Sequence, residues 1–124
     1  VDLPPGTGDV QLTLIQKTPL DGAVIVTTPQ EVALADARRA HTLFQRVGVP
    51  TLGLIENMSY IKCPDCGKEI KVFGDSHIEE ISEKFNIPVL GKLPIDPKLT
   101  QACDAGLIED VENIYLDGVM DIIL

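Results

Sequence analysis

A chain of 124 residues has room for one hydrophobic core, and its formal charge of −9 leaves no concentrated basic surface of the kind a nucleic-acid groove needs to displace counterions. The acids Asp96, Asp104, Glu109, Asp110, Glu112, Asp117 and Asp121, set against Lys98 alone, also make that end a poor match for an anionic membrane surface. No apolar run reaches the ~20 residues of a membrane span and the start lacks signal-peptide regions, so a cytosolic chain is expected, whose three cysteines bind metal, catalyse or lie buried rather than form disulfides.

In chain order, Val1 to Leu3 read as the last turn of a buried strand. An acid at a strand end followed by a Pro-Gly loop is an active-site arrangement in open α/β sheets. A natural chain rarely starts there, so the segment is expected to be the C-terminal part of a longer protein. DGAVIVTTP (21–29), with its apolar centre from Ala23 to Val26, predicts a strand buried on both faces. EVALADARRAHTLFQRVG (31–48) places Ala33, Ala37, Ala40, Phe44 and Val47 at helical spacing and ends on Gly48. PTLGLIENM (50–58) predicts a second strand and SHIEEISEKFN (76–86) a second helix, with Ser76 and Glu79 spaced as a capping box. IPVLGKLP (87–94) predicts a third strand, and DPKLTQACDAG (96–106) a third helix with Pro97 in its first turn and Gly106 at its end. Alternating strands and helices imply an α/β fold, a parallel sheet flanked by helices with right-handed crossovers.

Residues 59–75 break this rhythm, being far longer than the ~2–6 residues usual for such a connection. They hold CPDCG between short apolar stretches around Tyr60, Ile61, Ile70, Val72 and Phe73, as two arms of an inserted hairpin would. Pro64 stiffens the turn and Gly67 permits a tight backbone, so Cys63 and Cys66 have the form of a metal knuckle. A tetrahedral metal or an iron-sulfur cluster normally takes four protein ligands, and one chain offers only this pair. A redox pair would open a helix, and a zinc ribbon would need a second Cys-x-x-Cys, which is absent. Cys103 on the third predicted helix reads as a small buried residue, His77 as a surface residue at a helix start, and His41 as structural. A twofold axis through the hairpin would supply four thiolates, a set that suits zinc as well as a cluster.

Four stretches in register, DLPPGTGDVQLTL, VTTPQEVALADARR, ENMSYIKCPDCGKEIKVFG and KLPIDP, closely resemble the C-terminal half of the Mrp/ApbC family. These are ATP-binding iron-sulfur cluster carriers of the deviant-Walker P-loop class, related to MinD. The resemblance spans roughly residues 1–106, with the last eighteen matching loosely. It implies a labile [4Fe-4S] cluster bridged between two subunits by Cys63 and Cys66 and passed to apo-proteins. It further implies that Asp2 holds the Mg²⁺ shell through water, that Gly6 and Thr7 lie in the switch loop near the γ-phosphate, and that Asn57 and Pro94 to Asp96 face the adenine. Residues 1–124 would then be the C-terminal portion of one P-loop NTPase domain, with the inserted hairpin at 59–75. The Gly-rich phosphate loop is absent from these residues, so ATP hydrolysis belongs to a longer protein. A bland reading stands beside each residue: PPGTG as an ordinary rigid turn, Asn57 as a strand end, Asp96-Pro97 as a helix start. Two rival functions also stand. A MinD-like ATPase switch explains the nucleotide wall but not the knuckle, and the acidic tail lacks a basic amphipathic face. A non-catalytic zinc-binding dimerisation module explains the knuckle alone.

Overall fold

The computed structural model describes residues 1–4, 8–112 and 114–123. The elements in order are α1 (Asp9–Lys17), β1 (Ala23–Thr27), α2 (Glu31–Val47), β2 (Thr51–Glu56), β3 (Ile61–Lys62), β4 (Glu69–Ile70), α3 (Ile78–Phe85), β5 (Val89–Lys92), α4 (Pro97–Asp104) and α5 (Asp117–Ile123), with a 3-10 turn at Ile108–Asp110. The main sheet is parallel in the order β1-β2-β5, so the two crossovers carry α2 and α3. β3 and β4 form a separate antiparallel pair, Ile61 opposite Ile70 and Lys62 opposite Glu69, which is the expected inserted hairpin.

Local chemistry explains where the elements stop. α2 ends as Gly48 turns left-handed at φ 75° and its N–H reaches the carbonyls of Gln45 and Phe44, a conformation that costs glycine least. α4 starts where the Asp96 carboxylate accepts the Lys98 N–H at 3.0 Å, with Pro97 in the first turn where its missing N–H costs nothing. The capping box expected for α3 does not form. His77 is the cap residue, the Ser76 hydroxyl accepts only from Ile78 N–H, and Glu79 instead pairs with Lys92 on β5.

The core gathers Ile15, Ile25, Leu34, Ala37, Phe44, Val49, Leu54, Ile78, Ile81 and Ile87 from α1, α2, α3 and the sheet. On α2 the buried row is Leu34, Ala37, His41 and Phe44, one position round from the alanine-led face read in the sequence. β1 departs from expectation more sharply. Among the described residues it is an edge strand and Val26 is 63% exposed, so within this chain the strand is not buried on both faces. An apolar run alone cannot distinguish a central strand from an edge strand whose second face lies open.

His41 is buried, its Nδ1 2.9 Å from Thr51 Oγ1 and its ring 4.7 Å from that of Phe85. Its Nε2 has no hydrogen-bond partner, and burial holds its pKa below the ordinary value. An unfolded chain therefore takes up a proton near pH ~6.5 that the folded chain resists. Stability should be full above that pH and fall as the pH drops toward the lowered folded value. Urea unfolding midpoints across this range are expected to show that fall, and His41→Asn should make it shallower.

Candidate functional site

The chain leaving β2 stays bonded to the chain leaving β5. Leu93 N–H donates to Glu56 O at 2.8 Å, Ser59 N–H donates to Leu93 O at 2.9 Å, and Ile95 N–H donates to Tyr60 O at 2.7 Å. These bonds place Asn57 beside the 93–95 segment, where Pro94 lies and which leads into Asp96. Residues called from separate motifs thus share one wall at the C-terminal ends of β2 and β5, where open α/β sheets bind ligands.

Asn57 is half-buried and anchored twice: its N–H donates to Thr27 O at 2.7 Å, and its Oδ1 accepts Met58 N–H at 2.8 Å. The second bond leaves the amide's N–H donors for a ligand. Asp96 spends one oxygen on the Lys98 N–H, so at least part of its carboxylate serves the start of α4. A groove of about 750 Å³ runs along β1 and α2, lined by Asp2 and Asn57 together with Val24, Val26 and Thr28. Asp2 is exposed at this groove. Gly6 and Thr7 lie outside the described residues.

Beyond the wall the hairpin carries the two cysteines. Cys63 N–H donates to Lys68 O at 2.8 Å and Gly67 N–H to Cys63 O at 2.9 Å, closing the turn from Pro64 to Cys66. Gly67 sits at φ 74°, the left-handed geometry that a tight knuckle requires and that a β-carbon resists. Amide N–H groups of Cys66 and Asp65, then the Cys66 thiol, hold the Cys63 thiol below its ordinary pKa, with Gly67 N–H adding a smaller share. A thiolate is the metal-binding form, so these donors favour the state a metal or cluster needs. Cys63 is half-buried and Cys66 exposed.

Neither of the other candidate ligands joins them. His77 faces Glu80 at 3.1 Å and Glu31 at 3.7 Å. Cys103 is exposed, not buried as its sequence setting suggested, because α4 contributes no buried residue. Among the described residues no group of three or more His, Cys, Asp or Glu is arranged to hold a metal ion.

Sequence reasoning passed over the Glu56-Ser59 pair. Both are buried, Glu56 at 1% exposure, and Ser59 Oγ donates to Glu56 Oε2 at 2.5 Å. The available signal was a carboxylate closing the apolar run TLGLI with a hydroxyl three residues later. Tyr60, read in the sequence only as part of an apolar arm, has its phenol pKa pushed up by burial and then by Tyr115, which reaches the hairpin stem from the tail. Among the described residues no helix is long and apolar enough to cross a membrane.

Known proteins share this sequence pattern and fold. The family described as "ParA: NUBPL iron-transfer P-loop NTPase" matches residues 1–121. The iron-sulfur cluster carrier protein of Haemophilus influenzae is 49% identical over 106 residues, which cover 86% of this chain and 29% of that protein. The iron-sulfur cluster transfer protein NUBPL of Dictyostelium discoideum is 50% identical over 105 residues, covering 85% of this chain and 32% of that one. A nucleotide-binding protein of Archaeoglobus fulgidus, solved in complex with ADP and with cobalt, superposes with a TM-score of 0.83 at 39% identity over 93% of this chain and 47% of that one. The chain thus spans about a third of the length of the curated relatives it matches. The resemblance to P-loop cluster carriers is borne out. The chain belongs to the NUBPL-type family of iron-transfer P-loop NTPases.

Proposed function

We propose that this chain forms the cluster-binding and base-facing portion of an ATP-dependent iron-sulfur cluster carrier. The observation that carries the reading is the Cys63-Cys66 knuckle, with amides aimed at sulfur and no third ligand among the described residues, on a hairpin inserted beside the sheet of a nucleotide-binding fold. Two thiolates per chain favour a cargo shared between two copies, a labile [4Fe-4S] cluster across a homodimer. Exposed Met58, Ile70, Val72 and Phe73 lie on or beside the hairpin and support a contact there, since apolar clusters at a surface mark interaction sites. Residues 59–75 act as the inserted metal-binding hairpin of one P-loop NTPase domain, of which residues 1–124 are the C-terminal portion. The apo client proteins receive the cluster, and a reducing compartment such as the cytosol keeps the thiols free.

On the nucleotide side, Asn57 and the Pro94–Asp96 segment receive the base, while Asp2 and the Gly6-Thr7 loop receive the Mg²⁺ shell and the γ-phosphate. A carboxylate oxygen suits a hard cation, and glycine admits backbone N–H to a phosphate. Mg²⁺ bound there would offset phosphate charge. The lysine and amide cradle for the phosphates are not among these residues. Expressed as these 124 residues, the protein should show no ATP turnover above background, and Asp2→Ala should change nothing. A turnover approaching ~1 s⁻¹ would contradict this division of labour.

The function is tested by transfer. The intact protein, loaded anaerobically with iron and sulfide, should restore activity to an apo-dehydratase that needs a [4Fe-4S] cluster, faster than free iron and sulfide do. A protein that retains zinc and transfers no cluster would favour the dimerisation module instead.

A further inference from the structure

The Glu56 carboxylate is 1% exposed at the end of the central strand, and its Oε1 has no hydrogen-bond partner. Burying such a group costs free energy, so its single contact has to accomplish something. That contact, the Ser59 hydroxyl on Oε2, closes a loop of four residues. Within the loop, Met58 adopts φ 54°, a left-handed conformation uncommon for a residue with a β-carbon.

The backbone bonds show what the loop achieves. Leu93 donates to Glu56 O and accepts from Ser59 N–H, so two residues of the chain leaving β2, 57 and 58, lie between the two bonded groups where a regular parallel ladder leaves one. This is a bulge with its extra residue at 57–58, and bulges beside functional sites re-aim side chains. On one side the bulge presents Asn57 to the groove. On the other it delivers Tyr60 to Ile95, at the stem of the hairpin that carries Cys63 three residues later.

We infer that Glu56 is a positioning residue: its clamp on Ser59 holds the bulge that fixes the Asn57 amide and the cysteine hairpin together, coupling base recognition to metal binding. Glu56, at 1% exposure, acts through its contact with Ser59. The inference rests on the carrier reading only for the identity of the two ligands; the clamp and its mechanical consequence stand on geometry.

The test compares wild type, Glu56→Gln and the double variant Glu56→Leu/Ser59→Ala in the intact protein. Glutamine keeps an acceptor for Ser59. The double variant removes both partners and so leaves no bare buried charge, which favours folding. ADP affinity by calorimetry and Co²⁺ affinity by its thiolate absorbance are the two probes. Both should weaken together by about tenfold in the double variant, the equivalent of about 1.4 kcal/mol, and stay near wild type in Glu56→Gln. A change in one affinity alone, or in neither, would overturn the coupling. Amide hydrogen exchange without ligand gives an independent reading: Ile95 and Gly67 N–H should both exchange faster in the double variant, and a change confined to Ser59 N–H would overturn the positioning role. Should wild type bind neither ADP nor Co²⁺, the carrier reading fails and the exchange result alone decides the clamp.

Discussion

Cys63→Ser or Cys66→Ser should abolish cluster binding. Each chain contributes two thiolates, so in a homodimer one substitution removes two of four ligands at once, and hydroxyl oxygen is a poor substitute for soft thiolate sulfur. Because a shared cluster links binding to assembly, the dimer population should fall with it. Cys103→Ser should leave both intact, its exposed place on α4 lying outside the knuckle. Iron and sulfide analysis after anaerobic reconstitution, with sedimentation on the same samples, reads both effects. A cluster retained in full by Cys63→Ser would remove the knuckle from the site.

The second large effect falls on stability. Leu54 is 1% exposed on the central strand, where it is in register with Ile25 on one side and Val89 on the other. Leu54→Ala should cost about 2–5 kcal/mol, the range for emptying a well-packed core position. Domains hold only about 5–15 kcal/mol in all, so much of the variant's stability is at stake. Urea unfolding gives the number directly, and a loss below about 1 kcal/mol would mean that the sheet collapses around the gap or that Leu54 is not central to the core.

Much of the sheet was legible because periodicity and punctuation agreed. Gly48 stops α2, Asp96 and Pro97 start α4, and the apolar run before Glu56 forms β2. The hairpin was legible for a different reason: its length broke the strand-helix rhythm, and the two cysteines marked its tip. What escaped depends on partners far away in sequence. α1 went unread because its buried residues are only Gln11 and Ile15, too few to stamp a periodic pattern on DVQLTLIQK. The exposure of Val26 reflects which strands flank β1, which its own residues do not encode. Glu79 chose Lys92 over the Ser76 capping box because β5 brought an ammonium within reach, and tertiary pairing overrode a local motif.

The candidate site divides in the same way. Asn57, Pro94 and Asp96 were expected only through the family resemblance and the two cysteines through their knuckle spacing, and the backbone bonds between 56–60 and 93–95 bring the wall and hairpin stem together. Glu56 and Ser59 were missed because a buried carboxylate looks like an ordinary strand-ending acid until its surroundings are known. Their importance lies in the bulge, and a bulge is a relation between two strands.

The central claim is that one metal centre is shared by two chains through Cys63 and Cys66. Native mass spectrometry of the anaerobically reconstituted intact protein tests it most directly. The account predicts a dimer carrying about one cluster per two chains, with apo chains appearing as that mass signal is lost to a chelator. A monomer carrying a full cluster of its own would contradict it.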